Sequence, residues 1–250
     1  PQSVSRTGGA GRRSPRGQRP ADHYRPGTLT APGPSTVGST PPLRAHIGCC
    51  EPLQGILDPP SSKNYTTRYL LVAALAAGDS VVHRPAASED AAAMIRGLRA
   101  YGAAIGPIAD GGALRVRGFG GRPRCPGVID PGNAGAVLRF LMGLGALLPE
   151  VHFQTEHRAS LGQRPHGDLL EALEQLGVTT VSDAGRLPVT LRGGPVRGGA
   201  VEVNGHQSSQ YLSALLFLAP LLPDGLRIAV RHGLVSAPLV RTTLEVMRQA

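Results

Sequence analysis

Three short polar segments carry the residue types in this chain best suited to chemistry. They are Ser61-Ser-Lys-Asn-Tyr-Thr-Thr-Arg68, Pro131-Gly-Asn-Ala-Gly135 and His206-Gln-Ser-Ser-Gln-Tyr211. Each runs into a strongly apolar stretch (69–77, 136–148 and 212–222), which predicts a buried helix beginning at each segment. A helix start presents unpaired backbone N–H groups and the positive end of the peptide dipole, a ready place for an anion. One such start alone implies no more than N-capping; three in register, with basic residues nearby, imply a shared anion site. The first contains Lys63, the single lysine beside 25 arginines. An ammonium is a compact charge that fits a phosphate or carboxylate where a guanidinium fork would not. Arg68 follows little more than one helical turn later, within possible reach of the same anion. Arg164-Pro165 opens an amphipathic helix, where proline suits the first turn. Ser208, Ser209 and Gln210 offer two hydroxyls and an amide to a polyhydroxylated, anionic ligand.

Other chemistries are missing from the pattern. There is no Ser-His-acid arrangement, metal-binding helix, Gly-Lys-Ser/Thr phosphate loop or dinucleotide fingerprint. His152 and His157 straddle a strand end and read as structural, and Glu89-Asp90 read as acids favouring a helix dipole rather than as catalysts. Of three cysteines, Cys49-Cys50 is vicinal and Cys125 stands alone, so neither a disulfide framework nor a zinc pattern is present. The longest apolar run, 211–222, falls short of the roughly 18 residues a membrane span needs.

The elements that must position these segments repeat. Helical stretches at 88–102, 168–177 and 238–250 align Ile95 with Leu170 and Leu244, Leu98 with Leu173 and Met247, and Tyr101 with Leu176 and Ala250. The offsets are 75 and 74 residues. Gly102 and Gly177 stand where a left-handed helix stop belongs. Runs at 80–83, 113–117, 151–155, 187–191, 200–204 and 226–231 read as strands. The sequence therefore predicts an α/β domain over 51–250, built from three similar units at about 60–128, 129–199 and 200–250.

Charge divides the chain differently. The total is +9 with pI near 10.4, which first suggests nucleic acid or an anionic surface. Residues 1–50 hold seven arginines and one acid, or +6; residues 51–250 hold 19 basic and 16 acidic residues, or +3. The first 50, rich in Gly and Pro, are expected to be disordered. They read as a solvated tail, with a nucleic-acid arm or a plastid transit peptide as alternatives.

Five motifs in order give a resemblance: Ser62-Lys63 with Arg68; Gly132-Asn-Ala-Gly135 with Arg139; Arg164-Pro165; Ser208-Ser-Gln-Tyr-Leu-Ser-Ala-Leu-Leu216; and Leu234-Val-Ser236 followed by Pro238. Over 53–250 the sequence resembles the enolpyruvyl transferase family, and within it the branch acting on shikimate 3-phosphate. The resemblance implies an inside-out α/β barrel of βαβαββ units with pseudo-threefold symmetry, and a second such domain missing from this chain, which is then an incomplete N-terminal part. It implies transfer of the enolpyruvyl group of phosphoenolpyruvate to the 5-hydroxyl of shikimate 3-phosphate, in the cytoplasm, by a monomer without metal or organic cofactor. Membrane and nucleic acid are not the expected partners. By motif, Lys63, Asn64, Arg68, Ser208, Ser209, Gln210 and Ser236 would contact shikimate 3-phosphate. Lys63, Asn133, Gly135, Arg164 and Gln210 would surround phosphoenolpyruvate, with Lys63 catalytic. Three departures stand out. Asn64 replaces a usual Ser, and Lys-Asn is what the branch using UDP-N-acetylglucosamine carries; Ala136 replaces Thr, and Leu239 replaces Tyr. A transferase of that other branch, or a non-catalytic relative, are the alternatives.

Overall fold

Ser88 shows how local chemistry sets the elements. It leaves an extended segment and accepts a hydrogen bond from the Ala91 N–H at 3.2 Å, and Glu89 and Asp90 follow in the first turn. Side-chain capping and acids at the positive dipole end both favour a helix there. The computed structural model describes residues 3–6, 55–108 and 112–250. Its first unit holds β1 (Ser3–Arg6), α1 (Lys63–Leu75), β2 (Ala77–His83), α2 (Glu89–Ala100), β3 (Ala104–Pro107) and β4 (Ala113–Phe119). The second holds β5 (Val128–Ile129), α3 (Gly135–Gly145), β6 (Val151–Phe153), α4 (Gly167–Glu174), β7 (Thr179–Asp183) and β8 (Arg186–Arg192). The third holds β9 (Gly199–Asn204), α5 (Ser209–Leu218), β10 (Leu226–Arg231) and α6 (Ala237–Gln249).

The sheets repeat one pairing scheme. Their orders are β1-β2-β4-β3, β5-β6-β8-β7 and β10-β9. β5 pairs parallel with β6, and β9 with β10, as a strand–helix–strand crossover requires. β4 and β8 then run antiparallel to β2 and β6. In the first sheet the edge position beside β2 belongs to β1, antiparallel, with Ser3 opposite His83 and Arg6 opposite Ser80.

That strand corrects the expectation of disorder throughout 1–50. Ser3–Arg6 is extended because the β2 edge offers backbone groups that only another strand can pair. The rest of the expected tail, including Cys49-Cys50, lies outside the described residues. Strands β3, β5 and β7 were also not foreseen. β5 has two residues, and β7 alternates half-buried with exposed positions, so neither offers an apolar run.

The core lies where the buried helices meet. Ten of the eleven α3 residues are buried. Phe140 of α3 packs edge-on against Phe217 of α5 at 5.2 Å. A Cβ on Gly143 would lie 2.9 Å from the Ala214 carbonyl oxygen, so these helices approach closely only because that side chain is absent. α2, α4 and α6 cover the outside, burying Leu98, Leu173 and Val246 among others. Gly102 and Gly177, with φ of 108° and 87°, end α2 and α4 in a conformation costly to other residues.

A further repeated device closes each complete unit. A Cβ on Gly118 would sit 2.7 Å from Ala73 O and 2.8 Å from Ala74 O, at the end of α1. Gly193, 75 positions on, meets Ala146 and Leu148 after α3 in the same way. The next backbone N–H groups seal those helix ends: Gly120 to Ala76 O at 3.2 Å, and Gly193 and Gly194 to Leu148 O and Ala146 O at 2.9 and 3.2 Å. Among the described residues, no helix is long and apolar enough to cross a membrane.

Candidate anion-binding site

The start of α3 is stripped of side chains and ringed by arginine. Ala134 is its N-cap and makes no side-chain capping bond, and Gly135 is the first helical residue. A Cβ on Gly135 would stand 2.8 Å from Arg164 Nη1 and 3.9 Å from Arg139 Nη1. Both guanidinium groups therefore lie over exposed helix-start backbone, where an anion gains N–H donors, dipole and charge together. The preceding loop is braced. Asp130 Oδ1 accepts from Gly132 N at 2.7 Å, Thr155 Oγ1 donates to Gly132 O at 2.7 Å, and Ser160 Oγ donates to Asn133 Oδ1 at 2.9 Å.

Arg139 joins this start to that of α5. It donates from Nη1 to Ser208 Oγ at 3.3 Å and to Gln210 Oε1, and from Nη2 to Pro165 O at 3.3 Å. Its guanidinium stacks over Tyr211 at 5.0 Å, and the Tyr211 hydroxyl donates to the same Pro165 carbonyl at 2.7 Å. Ser208 is the N-cap of α5, accepting from Gln210 N at 3.2 Å. One buried arginine thus fixes the Arg164-Pro165 loop, the Ser208 hydroxyl and the Gln210 amide together. Burial lowers the Arg139 pKa, and the nearby Arg164 charge adds to the effect. Burial raises that of Tyr211, against the pull of Arg139.

The α1 start approaches from the other side. Lys63 Nζ lies 3.3 Å from the Asp90 carboxylate and is largely exposed. Asp90, Arg96, Asn133, Ala134 and His157 line one polar concavity, so Lys63 borders a depression that reaches the α3 start. Asn64 is half-buried, and its carbonyl accepts from Arg68 at 2.9 Å. Ser209 is buried in the first turn of α5. Ser236 is exposed at the start of α6 with φ 53° and no capping bond.

Arg68 points elsewhere. Its side chain is buried, donating from Nε to Thr243 Oγ1 at 2.8 Å and from Nη2 to Leu239 O at 3.3 Å. It lies over the Phe140 ring at 5.1 Å, and burial pushes its pKa down to about 10. Five residues at about 100° each turn it some 140° round the helix from Lys63, onto the apolar face. Of the residues singled out from sequence, Gly135, Arg164, Ser208 and Gln210 therefore meet around Arg139. Lys63 and Asn133 border the adjoining concavity, Ser236 stands at the α6 start, and Arg68 ties α1 to α6 inside the protein.

Sequence reasoning passed over three groups here. Arg139 sits inside Val137-Leu138-Arg139-Phe140, and a charge in an apolar helical run is itself a signal of a fixed partner. Asp90, read only as a dipole acid, also pairs with Lys63. His166, fully buried with neither ring nitrogen hydrogen-bonded, carried no such signal.

The chain has clear relatives. The sequence model of the family described as EPSP synthase (3-phosphoshikimate 1-carboxyvinyltransferase) matches residues 49–250. A Deinococcus radiodurans protein named 3-phosphoshikimate 1-carboxyvinyltransferase is 53% identical over 195 residues, covering 78% of this chain and 44% of that protein. A Methanosarcina mazei protein of the same name is 37% identical over 208 residues, covering 82% and 47%. An EPSP synthase structure from Acinetobacter baumannii matches with a TM-score of 0.58 at 25% identity, covering 65% of this chain and 38% of that one. The chain thus spans about half the length of the curated relatives it matches.

Proposed function

Because the chain belongs to the EPSP synthase family, we propose that it serves the transfer of the enolpyruvyl group of phosphoenolpyruvate to the 5-hydroxyl of shikimate 3-phosphate. In that reaction the hydroxyl oxygen adds to C2 of phosphoenolpyruvate while C3 takes a proton. Loss of phosphate and of a C3 proton then leaves the enol ether. Charge moves on the transferring phosphate and lies fixed on the carboxylate, so donors and cations placed in advance supply most of the assistance.

The roles follow the positions. Ser208, Ser209, Gln210, Asn64 and Ser236 hold shikimate 3-phosphate by hydrogen bonds from three helix starts, with Lys63 on its charge. Arg68 adds its charge from behind α1 rather than by contact. Gly135, Asn133, Arg164 and Gln210 surround phosphoenolpyruvate, where the bare α3 start admits the anion. Lys63 is the catalytic group, its exposed ammonium free to leave Asp90 for the charge on the reacting phosphate. The observation that carries this reading is Arg139, whose hydrogen bonds put the α3 and α5 starts into one constellation. With this activity go a cytoplasmic setting, as the bacterial and archaeal relatives suggest, a monomeric state, and small-molecule partners.

Calorimetric titration of the chain tests the assignment. Heat with shikimate 3-phosphate and none with UDP-N-acetylglucosamine is expected. Heat with the latter alone would move the chain to the other branch, and heat with neither would remove the proposed site.

A further inference from the structure

The described residues leave four buried side-chain polar atoms without a hydrogen-bond partner: Arg139 Nε, both ring nitrogens of His166, and Asp168 Oδ2. They belong to three residues gathered behind the anion site. Orphaned buried polar atoms are rare in folded proteins, and each is costly. Four confined to one place call for a common explanation.

The backbone leaves His166 little freedom. Its N–H donates to Gly185 O at 2.8 Å, and its carbonyl accepts from Leu169 and Leu170 at 3.0 Å. As N-cap of α4 it makes no side-chain capping bond, so the ring is spent on nothing local. The charged and titratable groups around it come from every neighbouring element: Arg139 from α3, Arg164 from the preceding loop, Asp168 from α4, and Tyr211 from α5 beside Arg139 and Asp168. Burial, then the charges of Arg139 and Arg164, hold the imidazole well below its ordinary pKa, at about 3. At neutral pH the ring is therefore uncharged, with one nitrogen donating and one accepting.

The donor and acceptor count closes. Arg139 Nε–H is a donor in search of an acceptor, Asp168 Oδ2 is an acceptor in search of a donor, and a neutral imidazole supplies one of each. We propose that His166 is a positioning residue, taking a hydrogen bond from Arg139 Nε–H on one ring nitrogen and donating from the other to Asp168 Oδ2. The chain of contacts runs from α4 through His166 to Arg139, and from there to Ser208, Gln210 and the Arg164-Pro165 loop. It holds the Arg139 plane from behind while its two Nη groups hold the ligand-facing residues in front. His166 transfers no proton and touches no substrate.

This inference rests on the proposed shikimate 3-phosphate site for its functional readout, and a second measurement separates the two. Side-chain nitrogen resonances of the histidines, with His166 assigned by its loss in His166→Gln, should show one protonated ring nitrogen and no titration between pH 5 and 8. A His166 resonance titrating near pH 6.5 would overturn the proposal whatever the ligand does. In calorimetry, His166→Leu, which fills the same space, should keep its melting temperature and bind shikimate 3-phosphate about tenfold more weakly. His166→Gln, which can donate and accept, should return affinity to within about twofold of the original. Unchanged affinity in the Leu variant, or no recovery with Gln, would reduce His166 to a space-filler. Absence of shikimate 3-phosphate binding by the unaltered chain would count against the site, and the resonance experiment would still decide the relay.

Discussion

Adding one methyl group at Gly135 should separate the fold from the anion site, because the two respond with opposite sign. Gly135 is the first residue of α3 and its φ is not in the positive region, so alanine fits the backbone. Replacing glycine by alanine in a helix stabilises by at most about 1 kcal/mol, and a first-turn position should give roughly half of that. For a chain of this size that is a rise of about 1–2 °C in melting temperature. The new Cβ would stand 2.8 Å from Arg164 Nη1, against an ordinary contact of about 3.5 Å. The guanidinium must therefore retreat by about 0.7 Å from the place where an anion would meet the helix start. Misplacement by 1 Å can cost about a hundredfold where geometry is demanding, so a loss of about tenfold in phosphoenolpyruvate affinity, about 1.4 kcal/mol, is expected. Titration of phosphoenolpyruvate against the chain saturated with shikimate 3-phosphate measures it. The same substitution in an Arg164→Ala background should then have little further effect, since the displaced group is already gone. If Gly135→Ala weakens binding equally with and without Arg164, the methyl acts by blocking the helix start itself, and the argument through Arg164 is refuted.

Other substitutions probe separate links. Lys63→Ala, at an exposed side chain, should change stability by less than about 0.5 kcal/mol in urea unfolding. It should nevertheless weaken shikimate 3-phosphate binding by about tenfold or more, and a near-normal affinity would remove Lys63 from the site. Gly118→Ala and Gly193→Ala push a Cβ onto backbone carbonyls that cannot swing away, and each should destabilise by about 3 kcal/mol. A loss at only one of the pair would deny their equivalence in the repeat. The last prediction concerns pH. His166 has a folded pKa of about 3 against 6.5 ordinarily. Between those values the unfolded chain binds a proton that the folded chain refuses, so stability falls as pH falls through that window. At pH 4 the lost contribution is on the order of 3 kcal/mol, two and a half pH units at about 1.36 kcal/mol each. His166→Gln should flatten that part of the urea-unfolding profile, and equal slopes for both proteins would contradict a neutral buried ring.

Much of this was legible in the sequence because it is written in periodicity and punctuation. Leu98 and Leu173 fall on the buried faces of α2 and α4, and Gly102 and Gly177 end those helices with positive φ, as the 75-residue offset implied. Polar-to-apolar switches marked where α1, α3 and α5 begin. What sequence could not show is direction. Arg68 stands close to Lys63 along the chain, yet the helical twist carries it to the apolar face, where Thr243 and the Leu239 carbonyl satisfy it. Asp90 needed the fold to bring it 27 positions back to Lys63. His166 was invisible for the opposite reason: its environment is assembled from three helices and a loop, and nothing beside it in sequence marks the position. The strand Ser3–Arg6 hid in a segment whose composition argued for disorder, because its pairing depends on the distant edge of β2.

Arg139 has one further consequence, which concerns energy rather than position. Its two Nη groups reach the α5 start and the loop that carries Arg164, so the two subsites share a single rigid plane. A ligand that draws Ser208 or Gln210 into better alignment sets the angle at which Arg164 meets the next ligand. By linkage the influence is mutual: whatever factor the first ligand confers on the affinity for the second, the second returns to the first. The clamp makes the two binding events one thermodynamic unit, and an arginine that touches neither ligand decides how strongly each one notices the other.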